Sequence, residues 1–147
     1  MAPHALTITS PDIEDGQRIE DRFAGEHGAQ TPRIEVAGIP AGAVELALIC
    51  HDPDAPMPDG FTHWVLYGLP PAPGAVDPLS GRSGPNDAGR RGYVGPYPPP
   101  GHGEHRYYFW VYALSRVVEG EPTRRQFINF YGDAVLEQAR LVGTYSV

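Results

Sequence analysis

Alternation of apolar and polar positions predicts strands along most of this chain and a helix near its C-terminal end. Residues 4–9 (HALTIT) set Leu6 and Ile8 against polar neighbours, the period of a strand with one covered face. Residues 17–23 (QRIEDRF) carry a weaker version of the same signal. A loop over 24–33 leads to IEVAGIP, and Pro40-Ala41-Gly42 makes a turn before VELALICH (44–51). That segment, THWVLYGL (62–69) and HRYYFWVYALS (105–115) carry large apolar side chains on both faces, as central strands covered from both sides do. Residues 74–104 show no period, and an unpatterned stretch of this length is functional or disordered.

Residues 123–141 (TRRQFINFYGDAVLEQARL) fit a helical period, with Phe127, Phe130, Tyr131, Ala134, Leu136, Ala139 and also Val135 on the buried side and Gly132 dividing it. VGTYSV ends the chain as an extended tail. Strand and helix do not alternate, which argues against a doubly wound parallel sheet, and a mainly β, predominantly antiparallel fold is expected.

Composition narrows the partners. A chain of 147 residues suits one domain, 1–147, able to bury about 70% of its unfolded surface. Its net charge of -7, with arginine as every cation, lacks the basic footprint that nucleic acid or an anionic membrane requires. No apolar run reaches membrane-spanning length, and MAPHALTITS has neither the basic start nor the apolar middle of a leader, which predicts no membrane insertion and a cytoplasmic protein. Cys50, alone and inside VELALIC, reads as a buried, inert thiol.

The chemistry concentrates in HDPDAPMPDGFTHWVLYGLP (51–70) and around His105. Residues two apart on a strand share a face, which pairs His105 with Tyr107 and sets His63 with Val65 and Tyr67. Asp52 lies just past the end of the 44–51 strand, where Pro53 and Pro56 stop the ladder. If these strands are neighbours, Asp52, His63, His105 and Tyr107 converge at a rim walled by the 92–104 loop. Two imidazoles, a phenol and glycine backbone N–H groups would then face a small anion, with Asp52 orienting a histidine and keeping it protonated. The plainer alternative is that both histidines are satisfied strand-edge residues.

His51, Asp52, Asp54, His102 and His105 can also be drawn as metal ligands, but their spacing lacks the thiolates and regularity of a structural site, so no metal and no cofactor are expected. Arg90 and Arg91 either draw an anion toward the loop or form a solvated face. His4 and His27 read as solvated, and Tyr108, Trp110, Tyr112 and Trp64 as packing.

DPDAP, THWVLY, GYVGPYPPPGHGEHRYYFWVYAL and the terminal LVGTY resemble the phosphatidylethanolamine-binding proteins, in particular their bacterial Raf-kinase-inhibitor-like branch. The resemblance spans essentially the whole chain. It implies a large central antiparallel sheet, a smaller second sheet and C-terminal helical elements. It also implies a pocket for phosphate-type head groups, formed here by Asp52, His63, His105 and Tyr107 with Gly95 and Pro99 on the loop side, a cis bond before Pro56, and the option of a homodimer. The partner it implies is a small anionic or phosphorylated ligand held without catalysis. The other reading is a cofactor-independent isomerase or cyclase in which Asp52, His63, His105 and Tyr97 do acid–base work; no nucleophile motif accompanies it. Three positions depart from the family pattern: Tyr97 replaces the cysteine of GPCPPPG, Gly68 replaces the asparagine of LYNIP, and Val36 stands where tryptophan is common. Tyr97 should cap the pocket or reach into it.

Overall fold

Two antiparallel sheets share one core in the computed structural model, which describes residues 5–25 and 28–147; His4 and His27 lie outside them. Strands β1 (Thr7–Thr9), β2 (Glu35–Ala37) and β5 (Gly74–Ala75) form the small sheet in the order β1-β2-β5. The large sheet runs β6-β4-β3-β7-β8 and comprises β3 (Glu45–Asp52), β4 (Phe61–Leu69), β6 (Arg82–Ser83), β7 (His105–Leu114) and β8 (Val135–Tyr145). Helix α1 (Arg124–Tyr131) opens with a capping box in which Thr123 and Gln126 satisfy each other's backbone N–H. No helix of the described residues is long and apolar enough to cross a membrane.

β3 explains the layering, because every one of its residues is buried. Leu46, Leu48 and Cys50 face the small sheet together with Trp64, Leu66, Phe109 and Val111. Ala47 and Ile49 face the other way, with Val65, Tyr67, Tyr112 and Leu114, beneath Phe127 of α1. Both faces of the large sheet are therefore covered, as its unbroken apolar strands require. Each buried large side chain stabilises by about 1.5–3 kcal/mol.

Three sequence expectations change. The helix ends at Tyr131; a 3₁₀ turn (Gly132–Ala134) follows, and the chain from Val135 onward is the edge strand beside β7. AVLEQARL satisfies both a helical and an alternating pattern, and the long ladder of β7 needed a partner on its outer side. Phe130 and Leu136, expected in the core, are 66% and 40% exposed. Residues 17–23 form no strand: Arg18 makes an isolated bridge to Thr144, and Asp21–Phe23 is a 3₁₀ turn that buries Phe23. Of the aromatic stripe on β7, only Tyr112 is core; Tyr108 and Trp110 are half-buried beneath the guanidinium of Arg140.

Two irregularities in β4 matter. Gly68 has φ +73° at a shift in the β3–β4 register, a left-handed conformation that glycine or asparagine tolerates, so its departure from the family pattern is conservative in backbone terms. The second shift lies between the pairs Cys50–Trp64 and His51–Thr62 and leaves His63 as the extra residue of a bulge.

Candidate functional site

The bulge is what builds the site. Strict alternation would turn His63 toward α1 with Val65 and Tyr67. Instead His63 lies on the other face, its ring 4.8 Å from that of Phe61 and edge-on to Tyr107 at 5.2 Å. It lines a cavity of about 410 Å³ with Asp52, His105 and Tyr107, and Gly95 and Pro99 lie on its loop side. Pro56, Met57, Phe61, Tyr97 and Pro98 add apolar wall.

Each polar side chain is fixed by its neighbours. Asp52 Oδ2 accepts from His105 Nδ1 at 2.6 Å, both side chains being 3% exposed, and Oδ1 accepts from the Asp54 amide at 2.7 Å. His63 Nδ1 donates to the Val94 carbonyl at 2.8 Å, which leaves Nε2 toward the cavity. Burial holds the His63 imidazole below its usual range, an effect that the Val94 carbonyl and the Asp52 charge only partly offset. Burial likewise pushes the Tyr107 phenol up, so it stays a neutral donor.

His105 carries a further partner. Its Nε2 lies 2.5 Å from Nδ1 of the exposed His102. Because Asp52 accepts from Nδ1–H, a neutral His105 must accept at Nε2 and His102 must donate. Asp52, His105 and His102 thus form a chain that ends at an imidazole in water. The spacing HxxH was visible in the sequence; the contact was not, since it depends on how the glycine-flanked loop folds back.

The loop wall is pinned by backbone bonds. Val94 N–H donates to His63 O, Gly95 N–H to Gly25 O and Gly25 N–H to Pro96 O, while Tyr93 Oη donates to Phe23 O. The Gly95 amide is therefore committed to the wall and does not face an anion. Further back, buried Asn86 ties the 86–92 turn through Ala88, Arg90 and Gly92, and Asp87 clasps Thr62 in both directions. Sequence reasoning missed Asn86 and Asp87; NDAG reads only as a turn.

Several expectations need correction. No peptide bond of the described residues is cis, Ala55–Pro56 included. The turn is made instead by Met57 N–H on Ala55 O, Gly60 N–H on Met57 O and Gly60 at φ +69°, where a Cβ would stand 2.3 Å from Asp52 O. His51 faces the opposite side of β3, bonded to Thr62 Oγ1 at 3.0 Å, and Asp54 is held by Arg106. Among the described residues no three potential metal ligands group together. Arg91 turns to Ser83 O and Glu121, and neither it nor Arg90 lines the cavity. Tyr97, 70% exposed at the mouth, is a rim residue and does not reach in.

Residues 9–146 match the profile of the phosphatidylethanolamine-binding proteins. The chain is similar to the UPF0098 protein of Methanothermobacter thermautotrophicus, with 38% identity over 151 residues covering 95% of this chain and 98% of that one. LppC of Mycobacterium tuberculosis, which bears the name of a lipoprotein, is 39% identical over 98% of this chain and 74% of its own. Among solved structures, the homologue CT736 of Chlamydia trachomatis superposes with a TM-score of 0.86 at 30% identity, covering 99% of both chains. YbcL of Escherichia coli gives 0.86 at 25% identity over 97% of this chain and 98% of that one.

Proposed function

The chain belongs to the phosphatidylethanolamine-binding protein family, and on that premise we propose that its pocket captures a small anionic or phosphorylated ligand without transforming it. The observation that carries this reading is His63, whose Nδ1 is locked on the Val94 carbonyl while its ring lines a walled cavity. Tyr107 adds a hydroxyl beside it. The apolar lining from Met57, Phe61 and the prolines suits the organic part of a head group.

His63 sets the pH dependence. Its neutral Nε2 repels an anion, so binding must bring a proton to that nitrogen. Because burial keeps the free imidazole neutral at pH 7, the bound form holds one proton more. Affinity should rise as pH falls, by up to about tenfold per pH unit, and level off below the depressed free-state range of His63. Sulfate is the suitable probe because its own charge is constant over this range. The test is titration of sulfate and phosphoethanolamine with histidine shifts recorded by NMR. His63 and His105 should respond, and His63→Gln should flatten the pH profile. Silent histidines would remove the pocket from consideration.

Tyr97 bears on selectivity. As a rim residue held among Pro96, Pro98 and Pro99, it screens the mouth by size. Tyr97→Cys should leave sulfate affinity within about twofold while admitting bulkier phosphate esters; loss of a true hydroxyl donor would cost about 0.5–1.5 kcal/mol instead. Competition between phosphoethanolamine and larger esters reads the difference.

The chain from Asp52 through His105 to His102 favours a second reading, acid–base catalysis, because it offers a proton path between the cavity wall and water. Turnover that falls in His102→Gln with unchanged binding would support it over simple capture.

A further inference from the structure

Across β3 from the first pocket, the same strand end forms a second cavity. His51 and Asp52 are neighbours whose side chains face opposite ways. Asp52 lines the pocket already described, and His51 lines a cavity of about 370 Å³ with Pro53, Arg106, Tyr108, Trp110, Arg124 and Arg140. The site lies on the α1 side of the large sheet, where Tyr108 and Trp110 are left half-covered.

Its charges are out of balance with the rest of the molecule. The sequence has 18 acids for 11 arginines, and most arginines meet a carboxylate: Arg18, Arg22, Arg33, Arg91, Arg106, Arg116 and Arg125 all do. Arg124 and Arg140 have no carboxylate partner among the described residues, yet they line one cavity. Arg140 lies only over rings, 5.3 Å from the centre of Tyr108 and 5.8 Å from that of Trp110. Arg124 Nε is buried with no acceptor. Burial and the adjacent Arg125 both oppose the Arg124 charge. The nearest acids are engaged elsewhere, Asp59 by Arg125 and Asp87 by Thr62, while Arg106 is neutralised by Asp54. Burial holds His51 down to about 4, so it adds no charge at neutral pH.

Two unmatched guanidinium groups, one with an orphaned donor, call for a doubly charged acceptor of small size. A guanidinium lying over an aromatic ring still has its N–H edges free for oxygen, and the fork geometry suits a tetrahedral oxyanion. We propose that this cavity is a second anion site, which takes a phosphate group, inorganic or carried as a monoester, between Arg124 and Arg140 against Trp110. It is independent of the His63 pocket.

Trp110 reports on the site, because the other tryptophan, Trp64, is core. The test follows tryptophan emission of the whole chain during titration with inorganic phosphate and with glycerol 2-phosphate, at ionic strength held constant with sodium chloride. Wild type and His63→Gln should show the same saturable change, which separates this site from the first pocket. Trp110→Phe should lose the change. Arg124→Gln and Arg140→Gln should each weaken phosphate by about tenfold or more. Without phosphate Arg124→Gln should unfold at the wild-type temperature or above, since it removes a partly buried, unmatched charge; simple packing damage would lower it. A monoester tighter than phosphate assigns the ester as the ligand, and equal affinities assign free phosphate. A response that chloride reproduces, or arginine variants that titrate like wild type, would overturn the site.

Discussion

Asp52→Ala is expected to cost the fold about 3–5 kcal/mol, the usual penalty for breaking a buried pair from one side. The carboxylate is almost fully buried and both of its oxygens are used, one by His105 Nδ1 and one by the Asp54 amide. Its removal leaves a buried imidazole N–H without an acceptor and frees the turn that carries Pro56 and Met57 into the cavity wall. Asp52→Asn is the informative companion. An amide in that position must place its NH₂ against either the His105 N–H or the Asp54 N–H, so one donor faces another whichever way it flips; the cost should be about 1–3 kcal/mol. Urea unfolding checks both, with the slope unchanged and the midpoint lowered. Asparagine at wild-type stability would mean that the carboxylate contributes nothing beyond its shape.

Gly95→Ala should have the next largest effect, and on two observables together. A Cβ there would stand 2.3 Å from Phe23 O and 2.8 Å from Ala24 Cα, backbone atoms that cannot step aside as a flexible side chain could. The paired bonds between Gly95 and Gly25 and between Gly25 and Pro96 hold the two segments in that close approach. Relief requires the loop to move off the 23–25 turn, at about 1–3 kcal/mol, the range for overpacking. The displacement carries Val94, whose carbonyl fixes His63, so sulfate affinity should drop by roughly tenfold for each 1.4 kcal/mol not recovered on binding. Thermal unfolding and sulfate titration on one sample read both. A stable variant with normal affinity would show that the wall is adjustable.

The two motif blocks made most of the site legible before any coordinates, and the physical reasons for what stayed hidden are specific. Asp52, His63, His105 and Tyr107 could all be assigned to one rim from their places at strand ends. What stayed hidden is the bulge that turns His63 to that face, away from Val65 and Tyr67, which alternation alone forbids and no residue type announces. The stretch 135–141 was misread because short alternating and helical patterns overlap there, and the decision belonged to the unpaired ladder of β7. The order of the 84–104 segment rests on backbone bonds to distant loops, to which composition is blind. The unpaired state of Arg140 was equally hidden, since no sequence pattern tells which carboxylate fails to come near.

The outer side of β8 bears on how the molecule behaves in a crowd. A last strand with bare N–H and C=O groups invites copies of itself to add on. Here Val142 O and Thr144 O accept from Gly16 and Ile19, Val142 N–H is taken by Asp15 Oδ1, and Thr144 N–H by Gln17 O. A short early segment thus acts as a selvedge, finishing the fabric so that it does not catch on its neighbour. Gly143 lets that segment lie flat, because a Cβ there would come within 2.5 Å of Ile19. Cleavage ahead of Ile19 should therefore bare the backbone of Val142 and Thr144 and raise the tendency of copies to associate, which light scattering at high concentration would read.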